Sequence, residues 1–455
     1  MSFGDGPDGL LTNKDVSEKS HNQPRLFYGW YIIAALFFAT FLSIGARQGF
    51  GVFVKTWEED WAVSTAAISF AAAIGTLVNG FSQPVFGWLT DNFGGRPVLL
   101  ASFFVTGIAT AGVATISSVL GLMVLYGFII SFSSGGIGFQ TTGVIVARWF
   151  EKKRGVAMAV LVSGGSVGGL VFVPFLSYLL IEVGWQLAWI ITGLIALLIG
   201  IPLLLIVVKS KPDDIGLTID GVDPNSEEGL HGSADAVGPK FVDKWFDALS
   251  SRPIWQLSFG YFVCGITTTS IGVHFVRWAN SEDITTGTAA LAFGLLSGIN
   301  AAGVLVVGML SDRFQRKNLL GGVYLLRGLA FLTLIFLPGD IALWAFAVIG
   351  GMSWLATVPL TASLTADVYG VRNLGMLFGL ANMSHAFGGA LAVFLFGWAF
   401  TNWGSYNVPF VVGAFTLLAA GVVCLSISEK TNSVRFNRIS QSNELDSGSV
   451  NAGAS

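Results

Sequence analysis

The chain has 455 residues, 53% of them hydrophobic and only 11% charged, whereas soluble domains carry roughly 25% charged residues. That excludes a water-exposed globule, and a net charge of −3 without long Lys/Arg runs excludes a nucleic-acid footprint. The only cysteines, Cys264 and Cys424, lie inside apolar stretches, so neither a disulfide framework nor a metal site is expected.

Residues 1–28 are polar and lack the charged start, short apolar core and cleavage site of a signal peptide, which reads as a disordered tail. A helix crossing a ~30 Å hydrocarbon core needs about 20 apolar residues. Such segments occur at roughly 29–54, 65–89, 97–117, 119–147, 155–181, 185–208, 254–279, 286–311, 319–337, 341–366, 375–400 and 406–428. In lipid every backbone group must be bonded internally, so these runs are helices and not strands. The 58 glycines suit helices that approach closely without a water-driven force between them. Residues 210–252 form one long polar interruption and 430–455 a second tail. The segment FVDKWFDAL at 241–249 has apolar residues at helical spacing, suiting a short helix at the membrane surface that leads into the seventh span.

Orientation follows from the excess of Lys and Arg in cytoplasmic loops. With an even number of spans both termini share a side, and that side carries 20 of the 24 basic residues, so the termini are expected to be cytoplasmic.

Between spans two and three lies GWLTDNFGGRP, with Gly87, Leu89, Asp91, Gly94 and Arg96. Between spans eight and nine lies GMLSDRFQRK, with Gly308, Leu310, Asp312 and Lys317, and Asp91 and Asp312 are 221 residues apart. Gly155, Gly168 and Gly169 recur as Gly375, Gly388 and Gly389 at an offset of 220. Two unrelated segments whose offsets agree to within one residue mean that the second half repeats the first. The expected fold is therefore an all-α membrane protein of twelve transmembrane helices in two pseudo-symmetric six-helix bundles. The bundles span 29–209 and 253–429 and are joined by a cytoplasmic linker at 210–252.

The Gly-x-Leu-x-Asp-x-x-Gly-x-Arg loop resembles the hallmark of the major facilitator superfamily, and the resemblance covers residues 29 to 429. It implies a secondary transporter working by alternating access. The second copy departs from the pattern with Gln315 for the second glycine and Lys317 for the arginine. Two further runs, RWFEKKRGVAMAVLVSGGSVGG and PLTASLTADVYGVRNLGMLFGL, look like bacterial relatives of the monocarboxylate transporters and oxalate/formate exchangers. Gly87, Asp91, Gly94, Arg96 and Asp312 are candidates for a conformational latch, in which Asp91 and Arg96 pair in charge and contact helix ends. An ordinary tight turn with topogenic charge is the alternative.

All 27 acids can be placed in tails, loops or helix ends, which leaves Arg47, His274, Arg277, Arg327 and His385 as the ionisable groups of the interior. Such groups cost about 2.5–3.5 kcal/mol or more at mid-bilayer, so they usually face a cavity. A net positive cavity favours an anion. His274 and Arg277, three apart on the seventh span, would form a basic outer vestibule with Arg47 if those faces point inward. Arg47 either contacts a substrate carboxylate or snorkels, and snorkelling is open for Arg277 too. His385 lies near the midplane of span eleven, where the exchangers resembled here place a basic residue; it either lines the cavity or packs through hydrogen bonds. Gln140 and Asn300 could orient a ligand or join helices. Arg327, in a span that the resemblance places outside the bundle, is expected to bond a neighbouring helix. The Asp and the Arg found four residues apart in span eight of animal monocarboxylate transporters fall on Asn300 and Val304, so a titrating histidine is the remaining agent for proton coupling.

The expected activity is movement of a small organic anion, a mono- or dicarboxylate, across the cell membrane, with a coupling proton or counter-anion as a further ligand. Efflux of a drug or hydrophobic metabolite by the same fold is the alternative, for which aromatics such as Trp354 leave room. No Ser/His/Asp set, paired carboxylates, metal-ligand spacing or P-loop lysine motif points to an enzyme or to a cofactor.

Overall fold

The computed structural model describes residues 26–221 and 242–429. The expected tails, apart from 26–28, and the middle of the 210–252 linker lie outside the described residues. The main helices are α1 (Gly29–Gln48), α2 (Val54–Trp61), α3 (Thr65–Phe93), α4 (Gly95–Gly112), α5 (Phe139–Trp149), α6 (Arg154–Ile195) and α7 (Ile201–Val207). Then follow α8 (Arg252–Ser281), α9 (Thr286–Ser311), α10 (Arg316–Phe336), α11 (Gly339–Gly351), α12 (Thr357–Tyr369), α13 (Leu374–Trp403) and α14 (Asn407–Leu425). Among the described residues there is no strand, as expected for long apolar runs.

Among the described residues, nine helices are long and apolar enough to cross a membrane. The difference from the twelve expected spans has identifiable sources. The runs expected at 155–181 and 185–208 fall in one continuous 54-residue stretch, Arg154–Val207. The run expected at 341–366 divides into α11 and α12 around a turn at 352–356, which leaves each piece short. Helix α3 carries Asn79, Ser82, Gln83 and Pro84 at its middle, which dilutes its apolar character. The short helix expected near 241–249 appears as a six-residue 3-10 helix, Trp245–Ser250.

Glycine is needed where the chain reverses. Gly94 has φ +88°, a conformation that L side chains rarely adopt, and it separates α3 from α4 within the expected loop. Gly184, at φ +81°, breaks α6 internally, and Gly404, at φ +66°, ends α13. These two are 220 residues apart, so the repeat extends to the ends of the fifth and eleventh expected spans.

The halves meet along two helix pairs, α3 with α13 and α6 with α9. These pairs exchange under the 220-residue repeat, which gives the contact a pseudo-twofold character. Large apolar side chains face outward, among them Leu170, Ile181, Leu198, Phe394 and Phe415, a surface suited to acyl chains and not to water.

Candidate substrate site and contacts between the halves

Arg47 stands in the last turn of α1, where a cation meets the negative end of the helix dipole. It is half-buried and shares a cavity wall with Tyr126. Tyr126 lies on a π-helical stretch, Met123–Ile130, a local widening often found at functional sites. Arg47, Tyr126 and Ser131 together line a cavity of about 300 Å³, walled also by Gln48, Phe50 and Thr76. The same three residues line a narrower pocket that runs inward past Thr106, Thr110, Ser134, Phe172, Trp189 and Thr192. The residues lining both spaces all fall within 42–196, and no carboxylate is among them. The arrangement offers one cation, several hydroxyls and apolar walls, which is the equipment for holding a small anion.

A polar chain runs from this site toward the other half. The Ser131 hydroxyl donates to the Tyr126 carbonyl at 2.8 Å, and Asn79 Nδ2 donates to the Ser131 carbonyl at 3.0 Å and to Ser134 Oγ at 3.1 Å. Gln83 Nε2 continues it by donating to Asn79 Oδ1 at 3.0 Å. Sequence reasoning did not single out Tyr126, Ser131 or Asn79. Its only available signal was a run of hydroxyls, Ser131, Ser133 and Ser134, next to Gly135 and Gly136.

The remaining candidates stand elsewhere. Gln140 is fully buried, and its Nε2 donates to the Gly135 carbonyl, bracing the break before α5. Asn300 joins the halves: its Nδ2 donates to Ser166 Oγ of α6 at 3.3 Å, and its Oδ1 accepts from the Leu355 N–H at 2.9 Å. His274 is buried with both ring nitrogens engaged inside the second half, Nδ1 with the Tyr406 hydroxyl at 3.2 Å and Nε2 with the Val393 carbonyl at 3.1 Å. Arg277 is exposed and lies over the Phe400 ring at 4.7 Å. His385 is half-buried, with Nε2 3.2 Å from Thr268 Oγ1 of α8. Arg327 is wholly buried and donates to the Ser353 and Trp354 carbonyls and, at 3.1 Å, to Cys264 Sγ, so it does bond neighbouring helices. None of Gln140, His274, Arg277, Asn300 and His385 lines the Arg47 cavity.

The loop motifs meet helix ends in matched fashion. Asp91 Oδ1 and Oδ2 accept from the N–H groups of Gly375 and Met376 at 2.9 and 2.8 Å, at the start of α13. Asp312 Oδ1 and Oδ2 accept from Gly155 and Val156 at 2.7 and 3.0 Å, at the start of α6. Each carboxylate thus satisfies orphan donors at a helix N-terminus of the opposite half, where the dipole favours negative charge. The expected charge pairing of Asp91 with Arg96 is replaced: Arg96 Nη2 donates to the Leu205 carbonyl at 2.6 Å and its N–H to Ser210 Oγ at 3.2 Å. Beside Asp312, a buried ion network links the halves. Asp367 takes Arg154 of α6 at 3.0 Å and Arg316 of α10 at 2.5 Å, and Arg316 reaches Asp312 at 3.4 Å. Asp367 lies in the last turn of α12, a helix end as expected for the acids, but it is buried there, 3% exposed. Glu429 accepts from the N–H groups of Arg316 and Lys317 at 3.0 and 2.9 Å; burial pushes its carboxyl above the ordinary value while those donors hold it down.

Fold and site describe a multi-pass membrane carrier with two interlocking halves. The Major Facilitator Superfamily model matches residues 36–392 and 257–445, so the chain belongs to that superfamily. It is similar to monocarboxylate transporter 13 of Rattus norvegicus, 24% identical over 88% of this chain and 91% of that protein. It is also similar to the oxalate:formate antiporter of Oxalobacter formigenes, 25% identical over 86% of this chain and 89% of that protein. The crystal structure of the transporter FucP in the outward conformation superposes with a TM-score of 0.66 at 16% identity, covering 86% of this chain and 97% of that one. The expected superfamily and its narrower monocarboxylate and oxalate/formate resemblance are both met by these matches.

Proposed function

We propose that the chain is a secondary transporter that moves a small organic anion, a mono- or dicarboxylate, across the cell membrane by alternating access. The observation that carries this reading is the Arg47 cavity, which presents a guanidinium and the Tyr126 and Ser131 hydroxyls with no acid among its lining residues. A carboxylate there replaces water around Arg47 with charge-assisted hydrogen bonds. Two relatives named for monocarboxylates and for oxalate and formate support the same substrate class. In this reading the bundles 29–209 and 253–429 rock about the α3–α13 and α6–α9 contacts. The termini and the linker 210–252 are cytoplasmic, and a proton or counter-anion is coupled to the movement.

The test is flux in proteoliposomes. Carboxylates such as oxalate, formate and lactate are expected to cross faster than in empty liposomes, with the enhancement lost in Arg47→Gln. Flux confined to apolar amines would overturn the anion reading and favour the efflux alternative.

A further inference from the structure

Arg327 is an unusual charge for a lipid-embedded bundle: it is 0% exposed, and its described partners are two carbonyls and a thiol, with no carboxylate among them. Its Nε and the nearby Tyr324 hydroxyl are buried without a hydrogen-bond partner. Taking an ion out of water costs several kcal/mol unless a counter-charge and full hydrogen bonding offset it. The contact of Arg327 that can become an anion is Cys264 Sγ, at 3.1 Å. Cys264 is itself buried, 3.3 Å from Thr357 Oγ1, and it stands on α8 between Tyr261 and Thr268, the two residues that meet the His385 ring. His385 in turn lies 3.2 Å from Thr268 Oγ1 and has its ring 5.5 Å from that of Tyr261. Guanidinium, thiol and imidazole therefore form one connected row across α10, α8 and α13.

We propose that Cys264, held between Arg327 and His385, is a proton-binding site of the transport cycle that exchanges its thiol proton with the imidazole of His385. The S–H bond breaks, its electron pair remains on Sγ facing the guanidinium, and an N–H bond forms on the ring, which takes the positive charge. On reversal the proton returns to sulfur. His385 is half-buried, and its neighbour Ala386 packs on Gly80 of α3 in the first half. The imidazole end of the row is thus half-buried, on a helix that meets the first half, while the guanidinium end stays dry. The other groups facing the row are Tyr261 on α8, Tyr324 on α10, Trp354 in the turn before α12, Thr357 on α12 and Cys424 on α14. None of them is a carboxylate, so the row supplies a titratable pair among groups that include no acid. The proposal rests on the transporter reading above, but its first test does not need a substrate.

Infrared spectroscopy of the purified Cys424→Ala protein follows the S–H stretch of the one remaining thiol between about pH 5 and pH 9. The band is expected at the acid end and absent at the alkaline end, with a midpoint that moves in His385→Gln and in Arg327→Lys. A band that persists over the whole range, or a midpoint that ignores both replacements, overturns the proposal. The second arm is transport: Cys264→Ser keeps the hydrogen bonds but does not ionise, so it is expected to lose stimulation by an inward proton gradient while retaining exchange at equal pH. Stimulation equal to wild type overturns the proposal. If the wild type moves no carboxylate, the substrate reading falls and the infrared titration alone decides the proton site.

Discussion

Arg47 combines two features that rarely coincide in lipid: a helix-terminal position that tolerates its charge and a cavity wall that uses it. A hydrogen bond to a charged group contributes roughly 1.5–3 kcal/mol, and about 1.4 kcal/mol is tenfold in affinity. Arg47→Gln is therefore expected to raise KM for a carboxylate about ten- to a hundredfold, with melting temperature nearly unchanged because the residue is only half-buried. Uptake kinetics beside a thermal melt check this; a kcat loss at constant KM would show that Arg47 serves the cycle and not the ligand. Arg47 was legible in the sequence because a charge inside an apolar run is costly and so conspicuous. Its partner Tyr126 was not, since a tyrosine in such a run is ordinarily packing, and only the π-helical turn aims it at the cavity. His274 shows the converse: it is as conspicuous as Arg47, yet tertiary contacts with Tyr406 and Val393 occupy both nitrogens.

Helix ends carry the connections between the halves. The repeat made Asp91 and Asp312 legible as a matched pair, but the sequence held no sign that each would cap the opposite half's helix. A cap contributes about 0.5–2 kcal/mol, so Asp91→Asn and Asp312→Asn are each expected to weaken closure at this end while leaving the fold intact. Protease or thiol-reagent access to this end should rise in each variant, and rise more when both are combined. Asp367 is a different case, because Arg154 and Arg316 are both buried against it. Removing one partner of a buried ion pair costs about 3–5 kcal/mol; Asp367→Asn is expected to lower the melting temperature sharply. A melt indistinguishable from wild type would mean that water already reaches the pair. Asp367 escaped sequence reasoning because its place near a helix end looks solvent-accessible until α6 and α10 close over it.

At the scale of the whole molecule, the halves touch through glycine backbones at both helix crossings. A Cβ added to Gly87 would collide with the Gly375 carbonyl, and one added to Gly155 with the Gly308 carbonyl and Ser311. These approaches bring Asp91 and Asp312 onto their caps, so backbone proximity and capping are one device that seals the basic end. Gly87→Leu and Gly155→Leu are therefore expected to hold that end open, because backbone on the far side cannot yield as a flexible side chain would. Spin labels placed on the exposed positions 153 and 313, one on each side of the α6–α9 crossing, should report a longer distance in either variant than in the unsubstituted background. If the halves exchange access by rocking about these crossings, flux should cease in the same variants while carboxylate still binds where the Arg47 cavity remains intact. That combination separates a blocked cycle from a lost site. Unchanged label distances with flux abolished would place the effect inside one bundle and detach the glycine crossings from the movement.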